Sequence, residues 1–236
     1  MQAPNLDWHD VPLGATLRRA FGVPIAVEND VRAAAWGEFR FGAGAGAKSL
    51  IAVFVGTGVG SGAVIDGRLW RGAGNAAGEV GHTQVVIDGL PCRCGQRGCL
   101  EQYVSGSGFQ RRFAAALTAG VKTRLTEQTK RDPAQLTAEM LVAAADDGDE
   151  FAREVWSDAV RYLTMGVANY VTIVNPEVLL FGGGVIETVP KLMDVVSRGV
   201  MELTTVLARR SLRIDRARLG NWTGVVGAAA LAADIV

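Results

Sequence analysis

Ser49-Leu50-Ile51-Ala52-Val53-Phe54-Val55 runs straight into Gly56-Thr57-Gly58-Val59-Gly60-Ser61-Gly62, then into Ala63-Val64-Ile65 and Asp66-Gly67. The first run is continuous in Ile, Val and Phe and of strand length, which predicts a buried β-strand. The glycines predict a turn over Gly56 to Gly62, Ala63 to Ile65 a second strand, and Asp66-Gly67 a hairpin turn. Upstream, Pro24-Ile25-Ala26-Val27 reads as a short strand ending at Glu28-Asn29-Asp30, with a helical stretch from Val31 to about Phe41. Downstream, Thr83 to Ile87 is a third strand candidate. Strands alternating with helices predict an α/β fold.

The rest of the chain fits that class. The region from Gly106 to about Ala208 reads as mostly helical. Phe151, Val155, Ala159, Leu163, Val167, Tyr170 and Val174 form the stripe of a long amphipathic helix, for which core packing is a sufficient explanation. Val178 to Phe181 is a strand closing on Gly182-Gly183-Gly184, Pro190 opens another helix, and Gly227 to Ile235 begins a small-residue C-terminal helix. No internal repeat or long linker interrupts the pattern.

Bulk chemistry narrows the function classes. The 236 residues carry 24 Lys plus Arg against 24 Asp plus Glu, so no global field points to nucleic acid or a membrane surface. Arg209, Arg210, Arg213, Arg216 and Arg218 gather late in the chain and read as a solvated face. No window reaches transmembrane length and no signal peptide is visible, so the expected compartment is the cytoplasm. All three cysteines fall between positions 92 and 99, which suits metal ligation in a reducing compartment better than a disulfide framework.

His82 precedes Cys92-Arg93-Cys94-Gly95-Gln96-Arg97-Gly98-Cys99. One imidazole and three thiolates fill a closed tetrahedral zinc site, which shapes a loop and leaves no position for catalysis. The alternative is three free cysteines and an ordinary histidine. Asn29 and Asp30 stand where a strand gives way to a helix, a place for ligands and equally for helix caps. Glu79 and Glu101 flank the metal loop and are either surface acids or partners for a polyhydroxylated ligand. The amides of Gly56 to Gly62 can form an anion nest, although the run matches neither the Walker nor the dinucleotide-binding pattern. Gly182 to Gly184 either admits a nucleoside or turns the chain.

In order, Pro4-Asn5-Leu6, Glu28-Asn29-Asp30, Gly56-Thr57-Gly58-Val59-Gly60, Gly78-Glu79-Val80-Gly81-His82, the box from Cys92 to Glu101 and Gly182-Gly183-Gly184 resemble the ROK family. That family comprises bacterial sugar kinases, bifunctional N-acetylmannosamine kinases and sugar-responsive repressors. The resemblance implies an actin-like ATPase (ribonuclease H-like) fold with a zinc-binding loop. It implies Asp30 as catalytic base, and Asn29, Asp30, Glu79, His82 and Glu101 as contacts to a hexose or N-acetylhexosamine. It further implies Gly56, Thr57, Gly58 and Gly60 with Gly182, Gly183 and Gly184 as ATP contacts, and structural zinc on His82, Cys92, Cys94 and Cys99. A homodimer is expected, with no nucleic acid bound by this chain and no membrane partner.

Family kinases also carry Asp-x-Gly-Gly-Thr, whose Asp helps to hold Mg²⁺ and whose turn binds phosphate. No Asp-x-Gly-x-Thr occurs in these 236 residues. The expectation is therefore an α/β chain truncated at its N-terminus. Residues 1–30 would be a remnant of the small lobe, 31–225 the sugar- and zinc-binding lobe, and 226–236 a C-terminal helix returning toward the small lobe. As it stands, such a chain is expected to be inactive as a glucokinase-like enzyme. The other readings are a sugar-sensing regulator lacking its DNA-binding segment, or a non-catalytic sugar-binding remnant.

Overall fold

The structure, a computed structural model, describes residue 8 and residues 10–234. Pro4-Asn5-Leu6 lies outside the described residues. Among the described residues, five strands form one sheet: β1 (Leu50–Val55), β2 (Val59–Ile65), β3 (Arg68–Leu69), β4 (Val178–Gly182) and β5 (Arg213–Arg216), in the order β3-β2-β1-β4-β5. β2 is antiparallel to β1 and β3, whereas β4 runs parallel to β1 and β5 parallel to β4. This mixed order is the ribonuclease H-like sheet that the resemblance implies.

Helices cover both faces. In chain order they are α1 (Leu13–Phe21), α2 (Asp30–Phe41), α3 (Glu101–Val104), α4 (Gly106–Thr118), α5 (Leu125–Gln128) and α6 (Ala138–Asp146). Then follow α7 (Glu150–Val174), α8 (Gly184–Thr188), α9 (Pro190–Leu203), α10 (Val206–Arg209) and α11 (Thr223–Ala233). The period of two along β1 explains why two layers form. Ile51, Val53 and Val55 point into one core with Phe109, Phe113, Leu141, Leu163 and Val196. Leu50 and Ala52 point into the other, with Ala35, Trp36 and Leu231.

The long helix α7 follows the predicted stripe. Val155, Ala159, Leu163 and Val167 are buried, and Phe151, Tyr170 and Val174 pack at the core margin. Asp149 caps it by accepting from Ala152 N at 2.9 Å, and Asn175 ends it in the left-handed region. On the opposite face α2 and α11 approach backbone to backbone. A Cβ at Gly227 would lie 1.7 Å from Ala33 O, and one at Gly37 would lie 2.9 Å from Gly227 N. Glu38, fully buried, accepts from Ala43 N, Arg218 N and Leu219 N at 2.9, 2.8 and 2.8 Å, tying α2 to the loop before α11.

Four expectations about elements need correction. Pro24 to Val27 is not a strand, because among the described residues none of the five strands runs beside it to take its backbone groups. Thr83 to Ile87 makes only a single bridge, Gln84 to Cys99. Its amides at Val85 and Val86 both reach Gly98 O instead, following the irregular cysteine loop. The glycine run is a turn only as far as Gly58, since β2 begins at Val59. Gly60 and Gly62 are glycine because α2 sits against them: a Cβ at Gly60 would meet Val31 Cγ2 at 2.7 Å and one at Gly62 would meet Ala35 Cβ at 2.6 Å. The C-terminal helix begins at Thr223, so Gly227 lies inside it, at the close approach to α2; residues 235 and 236 lie outside the described residues.

Candidate functional site

The connection into α2 is shaped by a cap. Asn29 takes extended backbone angles, and its Oδ1 accepts from Val31 N and Arg32 N, both at 3.0 Å. Asn29 is therefore the N-cap, and Asp30 is the first residue of the helix, with an exposed side chain at the rim of a cavity. That cavity, of about 390 Å³, is lined by Asn29, Asp30, Glu79, His82 and Glu101 together with Gly56, Thr57, Gly58, Gly60 and Gly183. All five residues implied as sugar contacts thus share one concave surface. Gly182 and Gly184 do not line it.

The floor is the turn between β1 and β2. Its position is held from the start of α4, where Gly106 N donates to Gly56 O at 2.9 Å and Ser107 N to Thr57 O at 3.2 Å. Glu101 enters from α3, and its Oε2 accepts from Val59 N at 3.1 Å. Gly58 leaves room for that carboxylate, since a Cβ there would lie 2.7 Å from Glu101 Oε2. Two amides of the supposed anion nest are thereby engaged, Val59 by Glu101 and Gly56 by Gly58 O. Gly56 and Thr57 also line a second cavity, of about 260 Å³, with Ser107, Gln110, Glu139, Gly184 and Thr188. Gly182 packs under Phe54, and Gly183 has a positive φ of 91° over Val55 O.

His82 closes a short 3₁₀ turn, Val80–His82, and meets the cysteine loop. One ligand atom each from His82, Cys92, Cys94 and Cys99 lie within 4.8 Å of one another. His82 Nδ1 is 3.7 Å from Cys92 Sγ, and Cys94 Sγ is 3.6 Å from Cys99 Sγ. Sulfurs on a tetrahedral zinc ion stand about 3.8 Å apart, given Zn–S bonds of about 2.3 Å. Gly95 and Gly98, both at positive φ, allow the wrap, and a Cβ at Gly98 would meet Val86 O at 1.7 Å. Burial and the neighbouring Cys94 and Cys92 sulfurs push Cys99 up to about 12, whereas the Gln96 N–H holds Cys94 low. Three sulfurs and an imidazole nitrogen gathered this closely are the donor set of a tetrahedral metal ion. The Nδ1 of His82 is the ring nitrogen turned to Cys92, and His82 also lines the cavity.

A second set of residues, centred on Arg32, carries no role in the sequence reading. Arg32 is only 3% exposed; its Nε donates to Glu28 Oε1 at 2.8 Å, its Nη1 to Ala77 O and its Nη2 to Asn75 Oδ1, both at 3.3 Å. Glu28 also accepts from Arg71 Nε at 2.6 Å and from Asn29 N at 3.0 Å. Burial raises the Glu28 pKa, but these partners outweigh it and hold the carboxyl below its ordinary value. The i, i+4 spacing of Glu28 and Arg32 was the one signal in the sequence. Ser61 Oγ donates to Gly78 O, fastening β2 to the segment that carries Glu79. Tyr170, counted in the α7 stripe, places its hydroxyl near Ser61 and Glu79, and burial pushes its pKa up to about 12.

A ribonuclease H-like sheet with a polar cavity at the glycine turn and a His-Cys₃ cluster beside it defines a protein of the actin-like ATPase fold with a loop whose donors fit a metal ion. The chain belongs to the ROK family, whose model matches residues 1–235. It is 35% identical to the glucokinase of Streptomyces coelicolor over 98% of this chain and 74% of that protein. It is 31% identical to the xylose repressor of Caldicellulosiruptor bescii over 97% of this chain and 57% of the repressor. Among solved structures, the ROK family glucokinase from Streptomyces griseus in complex with glucose and AMPPNP superposes with a TM-score of 0.80 at 35% identity. The match covers 99% of this chain and 76% of that one. No helix among the described residues is long and apolar enough to cross a membrane.

Proposed function

We propose that the protein is a glucokinase-like sugar kinase in which a hexose lies against Asn29, Asp30, Glu79, His82 and Glu101 and Asp30 is the general base. The observation that carries this reading is the convergence of those five side chains on one cavity floored by the Gly56–Gly58 turn and the start of β2. Sugar hydroxyls donate and accept at once. Glu79 and Glu101 supply acceptors, and Asn29, its Oδ1 committed to the cap, has its amide N–H₂ to donate. Asp30 takes the proton of the attacking hydroxyl as that oxygen bonds to the γ-phosphorus of ATP. The bond from phosphorus to the β,γ-bridging oxygen breaks, and ADP leaves. The nucleotide is proposed for the second cavity, which shares Gly56 and Thr57 with the first.

Zinc is the ion proposed for His82, Cys92, Cys94 and Cys99, where it shapes the loop between His82 and Glu101. Mg²⁺ does not fit in the same way. The Asp-x-Gly-Gly-Thr carboxylate is absent from these residues, and the 236 residues alone are proposed to bind sugar without turning it over. The relationship to a xylose repressor supports a second reading, a sugar-responsive regulator that binds without phosphorylating. The resemblance also implies a homodimer, which sedimentation velocity tests.

The base is tested by joining these residues to an Asp-x-Gly-Gly-Thr segment of a family kinase and following glucose and ATP in a coupled assay. Asp30→Asn should lower turnover by about two to four orders of magnitude and leave glucose affinity within a few-fold. Unchanged turnover would remove Asp30 from the chemistry. No turnover from the unsubstituted chimera, with sugar binding intact, would favour the regulator.

A further inference from the structure

Arg32 does not line the sugar cavity, yet it joins the two segments that do. On one side its Nε pairs with Glu28, whose Oε1 also accepts from Asn29 N, immediately before the cap that sets Asn29 and Asp30. On the other side Nη1 and Nη2 hold Ala77 O and Asn75 Oδ1, in the segment that turns at Gly78 to deliver Glu79 and His82. Arg71, from the start of that segment, closes the loop on the second oxygen of Glu28. One buried guanidinium therefore has three nitrogens on three acceptors, from two parts of the chain more than 40 positions apart.

A buried ion pair adds little net stability over well-packed apolar residues, because desolvation cancels most of the attraction. What Arg supplies here is geometry: a planar fork with donors in fixed directions, which the single ammonium of Lys cannot reproduce. We propose that Arg32 is a positioning residue that sets the Asn29–Asp30 wall of the cavity against the Glu79–His82 wall, so that both engage the same sugar. The inference rests on reading the cavity as a sugar site. It also gives the ligand a consequence: contacts on one wall are coupled to contacts on the other through Arg32.

Calorimetry with glucose tests the coupling on the chain as it stands. Arg32→Lys keeps a cation for Glu28 and removes the fork. Asn75→Gly removes one acceptor while keeping the left-handed backbone at that position, where φ is 56°. Each is made alone and with Glu79→Gln. Either substitution alone should weaken glucose binding about ten-fold, and change it by less than about two-fold once Glu79 has been replaced, as for residues acting through one another. Asn75→Gly, on an exposed loop, carries the test if Arg32→Lys fails to fold. Glucose binding equal to that of the unaltered protein, or the same fold-loss in both backgrounds, overturns the positioning role. No hexose binding by the unaltered protein overturns the sugar reading itself.

Discussion

At the scale of single residues, the site separates roles that the sequence leaves merged. Asn29 is the helix cap and Asp30 is not, so the two should respond differently. Asn29→Ala is expected to cost about 0.5–2 kcal/mol of stability. Asp30→Asn should cost less, since only its charge at the helix N-terminus is lost, worth about 0.3–1 kcal/mol; urea titration of both variants checks the order. Cys94→Ser should remove about one equivalent of zinc and, with it, folding free energy on the order of several kcal/mol. Metal analysis that finds no zinc in the unaltered protein would contradict the assignment. Gly58→Ala places a methyl 2.7 Å from Glu101 Oε2. The carboxylate can swing away, so the melting temperature should move little while hexose affinity falls.

At the scale of elements, the glycines report on helix packing as much as on ligands. Gly37 and Gly227 let α2 and α11 touch, and a Cβ at Gly227 meets backbone rather than a movable side chain. Gly227→Ala should therefore destabilise the protein by about 1–3 kcal/mol or more. It should also weaken sugar binding, because α2 carries Asn29 and Asp30; an unchanged melting temperature would show that the contact is slack. The same comparison shows what was legible in advance. The His-Cys₃ cluster could be read because its four residues lie in a short stretch with telling spacing, and β1, α2 and α7 because apolar period is a local property. The Arg32 clamp could not, since its acceptors are 43 and 45 positions away. Nor could the roles of Gly60 and Gly62, which depend on a helix packed from elsewhere in the fold. The apparent strands at residues 24–27 and 83–87 failed for a related reason: strand character needs a neighbour, and apolar pattern does not reveal one.

At the scale of the molecule, two carboxylates, Glu28 beside the site and Asp149 at the start of α7, tie stability to pH. Burial raises both Glu28 and Asp149, but hydrogen bonds outweigh it: for Glu28 from Arg32, Asn29 N and Arg71, and for Asp149 from Ala152 N and Arg124 N. Their folded pKa values thus lie below the ordinary 4.5 and 3.8. The unfolded chain binds more protons in that range, so their contribution is fully present above about pH 4.5 and is lost as pH falls through the folded values. Urea midpoints should be flat from pH 7 to about 5 as far as these groups are concerned, then drop. A midpoint that rises on acidification would contradict the assignment. The central claim is that one cavity, framed by the end of β1, the start of α2 and the metal loop, binds a hexose through five side chains. Its most direct measurement is calorimetric titration of the protein with glucose, mannose and N-acetylmannosamine, repeated on the Glu79→Ala, Glu101→Ala double variant. Saturable binding of at least one of these sugars, lost in the double variant while zinc content and fold persist, is the predicted result. Binding that is unchanged in the double variant would contradict it.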